Sequence, residues 1–200
     1  ISNISGEKNI PCFGILGNLI LSFSKLLNQR AIHKPSAQHV LDEDYYKRIE
    51  AIQFSMAHDD GIRSEEAEDA DIVLLGVSRT SKTPTSIYLA NRGYKTLNIP
   101  LVGNQAIPDC LRRKPDKFCV IGLSVEAQRL SDIRANRIEI MKENKTNNYS
   151  NLDFIQNEIE SSKKLFKKYK WPIIDVTRKS VEETAASIIR IFDIKKNKKK

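Results

Sequence analysis

The stretch GVSRTSKT, Gly76 to Thr83, follows directly on the apolar run DIVLL. Its residue types suit an anion. Gly76 permits a tight exit from a strand, loop N–H groups can turn inward, and a helix starting at Thr83-Pro84 would set its dipole beneath a phosphate. Proline is tolerated there because a first-turn N–H has no intrahelical partner. Lys82 is then placed to reach the β- and γ-phosphate region, and the Thr83 hydroxyl to face Mg2+. The phosphate-loop pattern G-x-x-x-x-G-K-[ST] is met at every specified position except the second glycine, which is Ser81. A serine there can still present its N–H if its φ is negative or mildly strained, and its hydroxyl can itself touch phosphate.

Such a loop needs a buried strand behind it and a helix after it. DIVLL is a short, continuous apolar run, the mark of a strand buried on both faces. KTLNIPL, FCVIGL and PIIDVT read the same way. Helical patterns separate these runs, over 84–91, 125–142 and 152–169, and a last helix opens at Ser180 with the capping box SVEE. Strand-helix alternation predicts an α/β fold: a parallel sheet flanked by helices with right-handed crossovers, here around a P-loop-type nucleotide-binding core. A short helical region precedes it. Ile15, Leu16, Leu19, Phe23, Leu26 and Leu27 fall at helical spacing, and a second helix is expected from Asp42 to Met56 with Tyr45, Ile49, Ile52 and Met56 on one face. HDDG, ending in Gly61, closes that helix. The expected division is therefore 1–63, a helical remnant of a truncated N-terminal region; 64–194, the α/β domain; and 195–200, a lysine-rich tail. KENKTNNYSN is read as a polar loop.

Composition narrows the classes further. The 40% apolar fraction supports one buried core, and the formal charge of +8 invites a nucleic-acid reading. Five of the 33 basic residues lie in the terminal KKNKKK, and without them 28 basic residues face 25 acidic ones, a balance of +3. No stripe of basic and aromatic residues occurs elsewhere, so nucleic acid is not an expected partner. Cys12, Cys110 and Cys119 form neither a disulfide framework nor a metal spacing, which suits a reducing cytoplasm. The greasiest stretch, Pro11 to Leu27, is too short and too polar to span a membrane.

GVSRTSKTPTSIYLANRGYKTLNIPLV closely resembles the nucleotide loop and following strand of the pyruvate, phosphate dikinase regulatory proteins. RIEAIQFSMAHDDG and WPIIDVTRKSVEETAASI resemble two further signatures of that family, so the likeness runs from about Ala37 to Phe192. It implies a bifunctional serine/threonine protein kinase and phosphorylase. Such proteins use ADP to phosphorylate a threonine of the dikinase, inactivating it, and reverse this with inorganic phosphate, releasing pyrophosphate. A sister branch acting on phosphoenolpyruvate synthase tends to carry Cys-Gly where this chain has Thr80-Ser81. The resemblance is therefore to the dikinase branch, and it implies that Ser81 is the family's own variant.

The nucleotide residues carried over are Gly76, Val77, Ser78, Arg79, Thr80, Ser81, Lys82 and Thr83. Phosphoryl transfer also needs a group that takes the threonine proton and later returns it. His58, Asp59 and Asp60 are the candidates, because an imidazole or carboxylate before a glycine turn can be held near a reacting hydroxyl. The alternative is that HDDG is a helix stop with solvated carboxylates. Asp175, at a strand's end, either joins Thr83 in holding Mg2+ or caps a turn. The expected partner is the dikinase, with a homodimer left open. Two rival readings stand beside this one. The first is a small-metabolite P-loop kinase, for which LRRK is the one arginine-rich lid candidate. The second is a non-catalytic nucleotide-dependent regulatory module.

Overall fold

Leucine and β-branched side chains after Asp71 do form a strand buried on both faces. Every residue of β1 (Ile72–Gly76) is buried. The computed structural model describes residues 8, 11, 16–30, 42–102, 107–141 and 149–197. Cys12, Ile15, most of the KENKTNNYSN loop and the last three lysines lie outside the described residues. The chain divides into two units, 1–41 and 42–200. In the first, α1 (Gly17–Leu26) forms where the apolar spacing predicts it, and none of its residues is buried.

The second unit holds a four-stranded sheet in the order β2-β1-β3-β4, with β2 at Thr96–Pro100, β3 at Cys119–Ser124 and β4 at Ile173–Asp175. All three pairings are parallel, Ile72 lying opposite both Thr96 and Cys119. From β1 the chain crosses to one side, and from β3 to the other. A crevice therefore opens at the carboxyl ends of β1 and β3, where α/β sheets bind ligands. Among the described residues six α-helices accompany the sheet: α2 (Glu43–Ala57), α3 (Lys82–Ala90), α4 (Asp109–Arg113), α5 (Ala127–Met141), α6 (Leu152–Lys168) and α7 (Val181–Asn197). The short α4 was not anticipated, because five residues between two prolines show no period.

The strand period of two splits the core into two clusters. Ile72 and Leu74 pack with Leu89 of α3, Leu130 of α5, Ile155 of α6 and Ile188 of α7. Val73 and Leu75 pack with Leu97, Leu111, Phe166 and Trp171. Gly122 of β3 is needed on the second side, since a Cβ there would lie 2.5 Å from the Phe166 ring. Gly122→Ala should therefore cost about 1–3 kcal/mol by overpacking. Chemical denaturation checks this, and Phe166→Leu in the same chain should recover part of the loss.

Three expectations need correction. The helix Glu43–Ala57 belongs with the α/β unit, because the compact division falls after Leu41 and not after Arg63. Its buried positions are Ala51 and Ser55 rather than the Ile49–Met56 face, and Met56 is 66% exposed. Small side chains allow close approach to β2, and the Ser55 hydroxyl accepts from the Thr96 N–H at 3.0 Å. Finally, β4 is an edge strand with Ile173 and Asp175 exposed, so PIIDVT is not buried on both faces. The capping box holds: Ser180 N–H donates to Glu183, and Glu183 N–H to Ser180 Oγ, at 2.9 and 3.1 Å.

Candidate active site

Gly76 ends β1 so tightly that a Cβ on it would lie 2.6 Å from Thr80 Oγ1 and 2.9 Å from the Leu123 carbonyl. Close approach, and not a positive φ, demands glycine here. The loop then closes on itself: the Thr80 hydroxyl and the Lys82 ammonium both donate to the Val77 carbonyl, at 2.9 and 3.0 Å. Arg79 and Ser81 take left-handed backbone, φ 75° and 57°, while Thr80 between them does not. Alternation of this kind turns successive N–H groups into a concavity that suits an anion. The helix α3 begins at Lys82, two residues earlier than the sequence pattern predicts, so its N-terminus lies directly at the loop.

Ser81 is thus neither negative in φ nor relaxed. A left-handed non-glycine residue costs roughly 1–3 kcal/mol, while glycine's extra freedom in the unfolded chain takes back about 0.4–1 kcal/mol. Ser81→Gly should be neutral to stabilising and keep nucleotide affinity. A fall in affinity beyond roughly tenfold would mean that the serine hydroxyl binds phosphate directly.

Lys82 is 5% exposed. Its pKa is lowered to about 8, chiefly by burial, with Asp60 and Asp59 opposing the shift and Arg134 and Arg79 adding to it. A bound polyphosphate would raise it again. Below about pH 8 the ammonium is charged with or without ligand, and affinity is flat with respect to this group. Above that pH, binding must take up a proton, so affinity falls by up to about tenfold per pH unit until the bound-state pKa is reached. Calorimetry of ADP binding at pH 9 in two buffers of different ionisation heat should register that proton uptake. Lys82→Gln should abolish it.

Beside the loop stands a cluster drawn from three elements. The Thr83 hydroxyl donates to the Asp59 carboxylate at 3.1 and 3.2 Å. Asn98, fully buried in β2, donates its amide to Thr83 Oγ1 at 3.1 Å and to Asp59. Asn98 Oδ1 is buried without a partner. Asp60 differs from Asp59: its backbone is left-handed, φ 51°, and its carboxylate accepts no hydrogen bond among the described residues. His58 is not with them. Its ring stacks on Phe54 at 3.8 Å between centroids, and its nitrogens lie 2.7 Å from the Phe54 carbonyl and 2.9 Å from Glu66. His58 braces the turn instead, and its own carbonyl accepts the Asn98 N–H at 3.2 Å.

Thr83, Asp59 and Asp60 face a cavity of about 800 Å3. Of the eight loop residues, Ser78, Arg79, Ser81, Lys82 and Thr83 line it together with both carboxylates. Gly76, Val77 and Thr80 are buried and shape the loop. Asp175 is elsewhere, which corrects its pairing with Thr83. It lines a separate cavity with Lys163 and Arg178, and accepts from the Thr177 N–H at 2.8 Å in a tight turn. Hydrogen bonds from Thr177 hold its carboxyl below the usual carboxylate range.

Four contributors escaped the sequence reading. Arg137 and Tyr149 line the far wall. Arg134, 1% exposed, ties that wall to the loop, donating to the Ser78 carbonyl at 3.2 Å, the Tyr149 carbonyl at 3.1 Å and Glu158 at 2.9 Å. Asn98 carried the one readable signal, a polar residue inside the buried run KTLNIPL.

The family model described as kinase/pyrophosphorylase matches residues 1–189. The chain belongs to the kinase/pyrophosphorylase family. Three relatives are each provisionally named a pyruvate, phosphate dikinase regulatory protein. That of Pelagibacter ubique is 65% identical, over 98% of this chain and 72% of its own length. Those of Erythrobacter litoralis and Maricaulis maris are each 46% identical, covering 92% and 96% of this chain and 66% and 68% of their own. This kinase/pyrophosphorylase chain thus spans roughly two thirds to three quarters of those relatives. Among its described residues no helix is long and apolar enough to cross a membrane.

Proposed function

We propose that this chain is an ADP-dependent protein kinase that phosphorylates a threonine of pyruvate, phosphate dikinase, and a phosphate-dependent phosphorylase that removes the group as pyrophosphate. The observation that carries the reading is the pairing of a cationic loop with an unengaged carboxylate in one cavity. Lys82 and Arg79 balance phosphate charge, and the loop N–H groups orient it. In the forward direction the threonine oxygen bonds to the β-phosphorus, the bridging P–O bond breaks and AMP leaves. Asp60 takes the hydroxyl proton. In reverse, a phosphate oxygen attacks the phosphothreonine, Asp60 returns the proton to the departing oxygen, and pyrophosphate forms.

Asp59 has a different part. Among the described residues no group of three or more His, Cys, Asp or Glu is placed to hold a metal. Mg2+ does not require one, since it commonly takes one or two protein oxygens and fills its shell with water and phosphate. The Thr83 hydroxyl and the Asp59 carboxylate are hard oxygen donors within hydrogen-bond distance of each other, and the residues present fit that ion. Bound there, Mg2+ would neutralise phosphate charge, and Asn98 would fix the direction of both oxygens.

Incubation with dikinase and ADP labelled in its β-phosphate tests the reading. Label on a dikinase threonine supports it. Transfer to a small metabolite in place of protein, or ADP binding without transfer, would replace it with one of the two rivals.

A further inference from the structure

We propose that a second, smaller cavity beside Asp60 receives the acceptor side chain, so that phosphate and threonine reach the reacting point through separate openings. The inference rests on the kinase and phosphorylase reading above. Asp60 and Pro100 line both cavities. The smaller one measures about 270 Å3 and is completed by Gly61, Ser64, Leu101, Ile107 and Pro108 among others. That volume falls below the roughly 300–1,000 Å3 of small-molecule sites, so it is no second nucleotide pocket. A side chain presented by a macromolecule fits it.

Charge divides the two spaces. The larger cavity carries Arg79, Lys82 and Arg137, whereas among the described residues the lining of the smaller carries no cation, and Asp60 is its one charged group. An anionic donor belongs among the cations, and a neutral hydroxyl is the group that a lone carboxylate admits and deprotonates. Ser64 and Asp60 have no hydrogen-bond partner among the described residues, which leaves both free for the acceptor hydroxyl or its peptide. The floor of the smaller cavity is tied to the phosphate loop, because the Leu101 N–H donates to the Gly76 carbonyl at 3.0 Å. Asp60 is held at the boundary in a left-handed backbone that only surrounding structure sustains. In this arrangement ADP and inorganic phosphate compete for the larger cavity, while the threonyl part of the acceptor occupies the smaller and the phosphoryl group of phosphothreonine lies at the boundary, toward the cations.

The test uses the full chain carrying Ser64→Trp, which fills the smaller cavity, and Ser64→Asp, which adds a negative charge to it. Ser64→Trp should raise KM for the dikinase in both directions by roughly tenfold or more and leave ADP affinity unchanged. Ser64→Asp should raise KM for phosphorylated dikinase well above that for the unphosphorylated form, because only the former brings negative charge. Circular dichroism checks that each variant is folded; where the tryptophan variant is not, Ser64→Asp alone decides. Unchanged KM values, or loss of ADP affinity in step with KM, overturn the acceptor cavity while the kinase reading stands. An unsubstituted chain that transfers nothing overturns both.

Discussion

Lys82→Ala should abolish the kinase and the phosphorylase activities together. In the proposed reaction both directions place a charged phosphate in the same loop, and Lys82 is the one cation of that loop at the first position of α3, where backbone dipole and ammonium would act on the same oxygens. Removing one preorganised donor of this kind costs roughly a hundred- to a thousandfold in turnover. Affinity for ADP should fall as well, since the charge is felt in the ground state. The fold should survive: Lys82 donates to a single loop carbonyl, and burial of its charge is itself unfavourable. Parallel assays of label transfer, pyrophosphate release and thermal unfolding check this. Either activity remaining near its unsubstituted level would mean that the two reactions use different phosphate sites.

Asp60→Asn should cut turnover in both directions by about a hundred- to ten-thousandfold, the usual contribution of a positioned base. ADP binding should stay within a few-fold, because among the described residues no hydrogen bond joins the Asp60 carboxylate to the loop. One further readout separates this from a structural defect. Asp60 is the largest of the charges that support the Lys82 ammonium, so the variant should move the onset of the alkaline fall in ADP affinity to lower pH. Asp59→Asn should behave differently. It weakens a cluster with Thr83 and Asn98, so its loss should appear chiefly in the Mg2+ dependence of nucleotide binding.

The turn after β1 was legible because a glycine exit and a helix start follow a continuous apolar run that had to be a buried strand. The different surroundings of Asp59 and Asp60 were not. They depend on a left-handed turn at Asp60 and on Asn98 of β2, 39 residues from Asp59, whose N–H bond to the His58 carbonyl sets it against the turn. His58 was misplaced for a local reason, since Phe54 lies one helical turn behind it and its carbonyl captures the ring. Asp175 followed the turn-capping alternative, which the spacing of Asp175 and Thr177 already allowed. Arg134 could not be found in sequence at all. A buried arginine on a charged helix looks solvated until α6 supplies Glu158 and the loop supplies a carbonyl.

The most direct measurement follows one labelled phosphoryl group through a full cycle. Dikinase is first treated with the chain and β-labelled ADP, freed of nucleotide, and then given unlabelled inorganic phosphate with the same chain. The account predicts label on threonine after the first step and its quantitative release as pyrophosphate after the second. Release as inorganic phosphate would mean hydrolysis in place of phosphorolysis. Label that stays on the protein would mean that the cavity around Lys82 and Asp60 serves the kinase direction alone.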